Sequence, residues 1–409
     1  ELKEGTHRAK ATGTLPNGKP VVVNADGTVS VVAGVSGGLG SEAVFESANI
    51  TFTSSAFDSS ANKVIVAYRD TGNSNYVTAV VGTVSGTSIS FGTPAVVDTS
   101  APFSTFRPIA VTYDSNSDRA VVFYSRDASS GRPYAAVGTV SGTSISFGTP
   151  VKIIDNFDTQ YFAAAYDVTN QKVVMAYKDN GGSNYGKAVV GTVSGTSISF
   201  GSAVTFESAT TSIISMAYDE NAGKIVIAYN DDANSNYGTS IVGTVSGTSI
   251  SFGSPVIFNS NYSGEIGATY EPVSQNVVIA YIVGGTTYGN AIVGTVSGTS
   301  ISFDTAVAFE SAATGDISIA ASNSGGTVLI SYRDGGNSNY GTAILGTVSG
   351  TSVSFDPAFV FNAGASYYTA TSFDSNEGAF VTSYKDDGNS SYGTSIVYKV
   401  ASTNLTSEN

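Results

Sequence analysis

The sequence lacks several residue types on which binding and catalytic sites commonly depend. It contains no cysteine and no tryptophan in 409 residues, and His7 is its only histidine. The absence of cysteine excludes a disulfide framework, a thiolate metal site and a cysteine nucleophile. A single histidine, placed ahead of the repeated part of the chain, excludes a Ser-His-Asp triad and a multi-histidine metal site.

Positive charge and long apolar runs are also scarce. The chain has 18 Lys and Arg against 32 Asp and Glu, a formal net charge of -14. Nucleic-acid binding needs cations that displace phosphate counterions, so no nucleic-acid partner is predicted. No apolar run approaches the roughly 18 residues of a membrane helix, so no membrane insertion is predicted. Because the chain begins at Glu1 without Met or a signal-like segment, we expect a processed product or a piece of a larger protein.

The abundant residues are those of strands and turns. The sequence is rich in Gly, Ser, Thr and Val, and Tyr and Phe together make up 11% of it. β-Branched and aromatic side chains fit a pleated sheet, and glycine supplies turn geometry. No segment keeps a helical period, so the composition predicts an all-β fold with almost no helix.

One motif occurs seven times. The stretch "YRDGGNSNYGTAILGTVSG" at residues 332–350 has near-copies along the whole chain, spaced by 51 to 56 residues. We number the repeats 1 to 7 by their opening tyrosines, which are Tyr68, Tyr124, Tyr177, Tyr229, Tyr281, Tyr332 and Tyr384. A regular period of about 50 residues is typical of a β-propeller, a ring of four-stranded blades.

Each repeat contains four predicted strands. In repeat 4 they cover residues 212–218, 224–229, 238–245 and 248–258, with Ser246 and Gly247 as a two-residue hairpin turn between the last two. A β-helix coil is usually shorter than this unit, and an immunoglobulin-like sandwich needs about 100 residues. Small residues before the first hairpin fit strands crowded around a central axis; they are at 163–165, 215–217, 267–269 and 370–372.

The number of strands predicts a seven-bladed β-propeller of antiparallel blades that is closed by its own N-terminal part. Repeat 7 has no "TSISF" fourth strand, but "LGSEAVFES" at residues 39–47 resembles "FGSAVTFES" at residues 200–208. Residues 39–47 are therefore predicted to pair with residues 393–400 and complete the last blade, which leaves no exposed sheet edge. The predicted domains are a lead-in at 1–36 with a hairpin at 13–32, the propeller at 37–400, and a polar tail at 401–409.

The loop between the second and third strands repeats acidic and aromatic residues on one face. Carboxylates and amides hydrogen-bond sugar hydroxyls, and a tyrosine ring accepts the C–H face of a sugar. Several weak copies would give avidity for a glycan-bearing surface. The candidate residues are Asp70, Asp127, Asp179, Asp231, Asp334 and Asp386, followed by Tyr76, Tyr134, Tyr185, Tyr237, Tyr288, Tyr340 and Tyr392, with Asn75, Asn184, Asn236 and Asn339 beside them.

The same loop residues have a structural interpretation. The Asp and Asn side chains can satisfy turn backbone, the tyrosines can wedge between blades, and Arg69, Arg333 and Lys385 can pair with the neighbouring aspartates. "DTGNSN" offers oxygens for calcium but lacks the acidic spacing of an EF-hand loop, so no cofactor is predicted.

Departures from the repeat point to a single asymmetric site. Repeat 5 has Val283 where the other loops have an acid, and repeat 2 adds Arg132 and Pro133. Residues also differ at the start of each first strand, near the predicted mouth of the channel: Arg107, Tyr161, Glu265, Asp316, Tyr367 and Tyr368. An asymmetric binding site is predicted there, although sequence drift in tolerant loops explains the pattern equally well.

An enzymatic site has little support in the sequence. Glu265 and Asp316 could form a glycosidase-like carboxylate pair, which leaves a glycan-acting hydrolase at the channel mouth as an alternative. A sialidase-like site would need an arginine cluster and "SxDxGxTW" boxes, and the chain has few arginines and no Trp. We therefore predict a non-enzymatic protein.

The repeat consensus "AYRDxGNSNYGTAIVGTVSGTSISFGTPVVF" resembles tandem-repeat propeller segments of large marine bacteriophage virion proteins and of some secreted bacterial surface proteins. The lead-in "GTLPNGKPVVVNADGTVSVV" is similar to short modules of the same phage proteins. The resemblance implies an extracellular or virion-displayed module, such as part of a tail fibre or adhesin. It implies adhesion to a cell-surface glycan or protein receptor, with other virion or surface proteins contacting the N-terminal segment. A purely structural spacer or decoration module is the alternative.

Overall fold

The structure is a computed structural model that describes residues 10–11, 21–23, 28–31, 38–100, 109–126, 131–155 and 158–400. These residues form strands and turns, with one short 3-10 turn at Asp387–Asn389. In the described ranges no helix is long and apolar enough to cross a membrane. The predicted tail at residues 401–409 and the lead-in turn at residues 24–27 lie outside the described residues.

The strands follow one another in chain order. The first 18 are β1 (Lys10–Ala11), β2 (Val21–Val23), β3 (Thr28–Val31), β4 (Gly38–Leu39), β5 (Ala43–Asp58), β6 (Lys63–Asp70), β7 (Tyr76–Ser85), β8 (Ser88–Phe91), β9 (Ala95–Asp98), β10 (Ile109–Asp114), β11 (Arg119–Arg126), β12 (Arg132–Ser141), β13 (Ser144–Phe147), β14 (Val151–Lys152), β15 (Thr159–Asp167), β16 (Lys172–Asp179), β17 (Tyr185–Ser194) and β18 (Ser197–Phe200). The others are β19 (Val204–Asp219), β20 (Lys224–Asp231), β21 (Tyr237–Ser246), β22 (Ser249–Phe252), β23 (Val256–Glu271), β24 (Asn276–Val283), β25 (Tyr288–Ser297), β26 (Ser300–Phe303), β27 (Val307–Glu310), β28 (Thr314–Ala321), β29 (Thr327–Asp334), β30 (Tyr340–Ser349), β31 (Ser352–Phe355), β32 (Phe359–Asp374), β33 (Ala379–Asp386) and β34 (Tyr392–Lys399).

Each repeat folds as an antiparallel unit. In repeat 4, the second half of β19 pairs with β20, β20 pairs with β21, and β21 pairs with β22 and with the start of β23. The first strand of a unit is its inner strand and the fourth its outer strand. The predicted all-β antiparallel architecture is confirmed.

The outer strand of repeat 4 was predicted to be continuous over residues 248–258, but in the structure it is interrupted. It ends at Phe252 and resumes at Val256, and β23 then runs on as the inner strand of repeat 5. Glycine is required at this break because a Cβ at Gly253 would lie 1.9 Å from the carbonyl oxygen of Thr299 in the next repeat. Pro255 also lacks the N–H that a strand ladder needs.

The hairpin turn is one residue later than predicted. The ladder between β21 and β22 ends at the pair Ser246 and Ser249, so the two loop residues are Gly247 and Thr248. Gly247 has a φ of 61°. A two-residue hairpin with glycine at its first central position matches the twist of the strands, which fixes the turn there.

The hydrophobic cores lie between consecutive repeats. One cluster packs Ala228 of repeat 4 against Ile266 and Tyr281 of repeat 5. Another packs Val64 of repeat 1 against Val381 of repeat 7. Each described repeat therefore buries both faces of its sheet against its neighbours.

The two ends of the repeated region also pair. β34 of repeat 7 pairs with β33 on one side and with β4 and the start of β5 on the other. Thr394 lies opposite Val44, and Tyr398 lies opposite Leu39. This pairing is the one predicted for residues 39–47. The lead-in strands β1 to β3 pair only with one another among the described strands.

The opening tyrosines belong to the scaffold. All seven are buried, and five of their hydroxyls donate to a carboxylate. The five pairs are Tyr68 with Glu46 at 3.0 Å, Tyr124 with Asp98 at 2.7 Å, Tyr229 with Glu207 at 3.1 Å, Tyr332 with Glu310 at 3.0 Å and Tyr384 with Glu42 at 3.0 Å. Burial raises the pKa of these phenols, so they remain hydrogen-bond donors.

A matched pair of substitutions measures this bond. Tyr229→Phe is expected to lower the free energy of unfolding by about 1.5 kcal/mol, because it removes a hydrogen bond to a charged group. The Tyr177 hydroxyl meets no hydrogen-bond partner among the described residues, so Tyr177→Phe is expected to change stability by less than about 0.5 kcal/mol. Chemical denaturation of the two variants gives both values, and equal losses would contradict the assignment.

Candidate functional site

A β-bulge interrupts the inner strand of six repeats near its start. In repeat 1, Phe52 and Thr53 together lie opposite Tyr68, between the pairs Thr51 with Arg69 and Ser54 with Ala67. Repeats 3 to 7 show the same register shift opposite their own opening tyrosines. Bulges of this kind re-aim side chains and are common beside binding sites.

The first residue of each bulge has a left-handed backbone conformation. The six φ angles are 55° at Phe52, 54° at Tyr161, 51° at Ile213, 46° at Glu265, 49° at Asp316 and 54° at Tyr368. None of these residues is glycine, so each position stores strain of about 1 kcal/mol or more. The strain recurs in every repeat whose bulge is described, which makes it a built feature of this face.

Four of the six residues predicted near the channel mouth are first bulge residues. They are Tyr161, Glu265, Asp316 and Tyr368. Tyr367 directly precedes the bulge of repeat 7, and Arg107 lies outside the described residues. Sequence reasoning missed Phe52 and Ile213. The spacing could have identified them, because the first bulge residue of each of these repeats precedes its opening tyrosine by 16 residues, as Phe52 precedes Tyr68 (68 − 52 = 16).

The bulges surround one end of a central cavity. The cavity has a volume of about 250 Å³ and is lined by the inner strands of all seven repeats. Phe52, Asp316 and Tyr368 contribute to its lining. The small residues predicted along the axis, such as Ala163 and Gly267, line its wall. The sequence thus places unlike side chains around a common opening.

Polar and aromatic side chains concentrate on the side of the mouth formed by repeats 6, 7 and 1. Asp316 Oδ2 lies 2.8 Å from Arg333 Nε, and its Oδ1 accepts a 2.8 Å hydrogen bond from the Tyr368 backbone N–H. The ring of Tyr368 lies 4.9 Å from that of Phe52. Thr53 donates its hydroxyl proton to the Tyr368 carbonyl, which joins repeats 1 and 7 at the mouth. All of these residues are half-buried, as expected in a cleft.

Tyr367 extends this cluster. The guanidinium of Arg333 lies 5.1 Å and the ammonium of Lys385 lies 5.7 Å from its ring centroid. Burial, together with the nearby Asp316 charge, raises the pKa of Tyr368. Aromatic faces, a carboxylate and cations therefore meet within one half-buried patch, which we call the mouth cluster (Phe52, Asp316, Arg333, Tyr367, Tyr368 and Lys385).

One of the predicted local ion pairs is present. Lys385 pairs with the nearby Asp387 at 2.9 Å, whereas Arg333 pairs with Asp316 of the neighbouring inner strand. Asp334 and Asp386 directly follow Arg333 and Lys385 in the same strands, and they cannot pair with these cations because successive side chains of a strand point to opposite faces of the sheet. No ion pair of Arg69 is present among the described residues.

The described loop aspartates are held by the scaffold: three accept N–H groups of their own turns, Asp179 pairs with Lys187, and Asp386 accepts a hydrogen bond from Asn362. Asp70, Asp179, Asp231, Asp334 and Asp386 are all buried, and Asp127 lies outside the described residues. Asp334 Oδ1 accepts bonds of 2.9 and 3.1 Å from the N–H groups of Gly336 and Asn337, and Asp70 and Asp231 accept equivalent bonds. Burial raises the pKa of these three carboxyls. These contacts fit the structural interpretation of the loop aspartates, and ligand binding by these residues stays a prediction.

The loop tyrosines close the turns. Six are half-buried: Tyr76, Tyr134, Tyr185, Tyr237, Tyr340 and Tyr392. Asn75, Asn184, Asn236 and Asn339 precede four of them in the left-handed region that asparagine tolerates. Among the described residues near these loops, the exposed aromatic side chains are at repeat 5, where Tyr262 is 43% and Tyr288 is 40% exposed. We call this exposed surface around Tyr262 and Tyr288 the rim.

The arrangement does not favour the hydrolase alternative. Both carboxylate oxygens of Asp316 already have partners in Arg333 and the Tyr368 N–H. Across the ranges that the structure describes, no group of three or more His, Asp or Glu residues is placed to hold a metal ion. What the mouth offers is aromatic surface with charged hydrogen-bonding groups.

Comparison of structures finds the same type of fold in AofleA from the fungus Arthrobotrys oligospora. A triple arginine-to-alanine mutant of AofleA gives a TM-score of 0.51 at 9% identity, over 78% of this chain and 91% of that one. The crystal structure of AofleA itself gives 0.48 at the same identity and coverage. The likeness to the mutant structure supports a β-propeller-like fold. Comparisons with family models and with curated protein sequences give no match.

Proposed function

We propose that the chain is a non-enzymatic propeller that binds glycans at the mouth of its central channel. The observation that carries the proposal is the recurring strained bulge. Its first residue varies among the repeats whose bulge is described, and three of these residues, Phe52, Asp316 and Tyr368, line one shared opening. Phe52 and Tyr368 supply adjacent aromatic faces, and Asp316 and Arg333 supply directed polar groups. Sugars are recognised by this combination of ring stacking and hydrogen bonds.

The proposal includes a closed ring of seven blades. Three observations support it. The inner strands contact one another in the order β5, β10, β15, β19, β23, β28 and β32, and β32 contacts β5 again. The core between repeats 7 and 1 resembles the others in its make-up. A Cβ at Gly40 would lie 1.7 Å from the Thr87 carbonyl oxygen, the same approach that Gly253 makes to Thr299.

We also propose display outside the cell, on a virion or a cell surface, with residues 1–36 contacting other proteins of that assembly. The support is the resemblance of the repeats and the lead-in to virion and surface proteins. A cell-surface glycan would then be the partner of the mouth, and adhesion the biological result. The purely structural alternative predicts no glycan binding at all.

The experiment compares the mouth with the rim. Phe52→Ala with Tyr368→Ala is expected to weaken glycan binding at least about tenfold, because it removes both stacking faces. Tyr262→Ala, at the exposed rim of repeat 5, is the matched control and should retain wild-type affinity. A glycan array identifies the ligand, and calorimetric titration measures the variants. Unchanged affinity in the mouth variant, or loss in the rim variant alone, would move the site away from the mouth.

A further inference from the structure

Four cations occupy corresponding positions beside the bulges. Arg69, Lys178, Arg333 and Lys385 are each the residue before the last in the second strand of their repeat, in β6, β16, β29 and β33. Each pairs across the sheet with the residue that precedes the bulge. Two of them are neutralised, Arg333 by Asp316 and Lys385 by Asp387.

Arg69 differs from both. The bulge residue in its repeat is Phe52, whereas the corresponding bulge residue beside Arg333 is Asp316. Its guanidinium makes no hydrogen bond or ion pair to a described residue, and its Nε is buried without an acceptor. A buried guanidinium donor without an acceptor is costly, since buried polar groups are nearly always paired.

The surroundings of Arg69 are aromatic and partly dry. Its strand partner Thr51 directly precedes Phe52, and the Tyr368 phenol lies near enough to interact with its charge. Burial lowers the pKa of the Arg69 guanidinium, which reflects the loss of water around it. The cation therefore lies near the Tyr368 phenol, and its strand partner is the residue directly before Phe52.

We infer that Arg69 receives the carboxylate of an acidic sugar, so that the mouth selects glycans carrying uronic or sialic acids. This inference rests on the proposed glycan binding at the mouth. A guanidinium matches a carboxylate with two parallel hydrogen bonds, which would include the buried Nε. In a chain of net charge -14, an acidic ligand needs such a local cation.

The test uses matched acidic and neutral probes. Methyl glucuronide is compared with methyl glucoside, and 3′-sialyllactose with lactose, after an array with neutral, uronic and sialylated glycans. The wild-type protein is expected to bind the acidic member of at least one pair about tenfold tighter or more. Arg69→Gln should remove this preference by weakening the binding of the acidic sugar about tenfold or more. Arg69→Lys should keep part of it.

The control is Lys63→Gln, at the opposite end of the same strand β6, which should behave as wild type. Circular dichroism melting verifies that each variant is folded. Equal binding of acidic and neutral sugars, unaffected by Arg69→Gln, would overturn the acidic preference and leave glycan binding intact. Binding of sodium acetate as tightly as of the acidic sugar would overturn it in favour of a simple anion site. No binding on any array would overturn both proposals.

Discussion

A chain shortened to begin at Ile50 is expected to lose about 5 kcal/mol of folding free energy. The truncation removes β4 and the outer half of β5, including Phe45, which is only 6% exposed and packs 5.1 Å from the ring of Tyr68. Loss of a buried phenylalanine costs about 3 kcal/mol or more. Tyr68 and Tyr384 also lose their acceptors Glu46 and Glu42, at about 1 kcal/mol each.

The truncated protein should also self-associate. Without its partner, β34 presents an unpaired edge with free N–H and carbonyl groups, which recruits strands from other molecules. Thermal unfolding and size-exclusion chromatography measure both effects. A chain shortened to begin at Gly38 is the control and should melt as the full chain does, because β1 to β3 pair only among themselves in the described structure. A monomeric product of unchanged stability after removal of residues 1–49 would refute closure of the last blade by the N-terminal strand.

Gly253→Ala is expected to destabilise the protein by about 3 kcal/mol, although Gly253 has no unusual φ. Its missing Cβ would lie 1.9 Å from the Thr299 carbonyl oxygen and 3.1 Å from the Thr299 Cβ, so the two repeats would have to separate. Forcing extra atoms into a packed interface typically costs 1 to 3 kcal/mol. Corresponding contacts at Gly92, Gly148 and Gly201 show the same approach.

Gly247→Ala is the control from the same hairpin. Gly247 has a φ of 61° but no atom within 4 Å of its missing Cβ, so only the left-handed conformation opposes the substitution. That penalty is about 1 kcal/mol. Urea denaturation of both variants should therefore rank Gly253→Ala as the more harmful. The reverse order would mean that the repeats do not pack through this glycine.

The order of strands and the partner of the last repeat follow from the sequence. The repeat tyrosine gives the period, and the alternation of apolar residues gives the strands between turns. The match between residues 39–47 and 200–208 identifies the segment that pairs with β34. These features are local or repeated, and seven copies of a pattern leave little ambiguity in its period.

The β-bulges could not be predicted from the sequence. "ITFTSSAF" at residues 50–57 has the residue types of an ordinary strand, and nothing in it shows that Phe52 and Thr53 both lie opposite Tyr68. All six bulges lie opposite a buried tyrosine that packs between neighbouring repeats, and such packing is a tertiary constraint that a single strand's sequence does not show. Variation among repeats at these positions was visible, and only the three-dimensional structure brings the varied residues together.

The roles of the charged residues were equally hidden. An aspartate that caps its own turn and one that binds a ligand have the same sequence context, and burial distinguishes them at Asp334. The acidic partner of Arg333 is Asp316, which lies 17 residues earlier in the sequence (333 − 316 = 17). The two residues are on strands that come together only when the chain folds. Arg69 has no such partner among the described residues because its repeat has Phe52 at the bulge position where the repeat of Arg333 has Asp316. This difference could be recognised only once the position of the bulge was known.

The most direct test is a crystal structure of the protein with the best-binding oligosaccharide from the array. We predict density for one sugar against the rings of Phe52 and Tyr368, with its carboxylate at the Arg69 guanidinium. The contrary result is a sugar at the exposed rim near Tyr262 and Tyr288 with the mouth empty, or a ligand that contacts the mouth only through backbone groups.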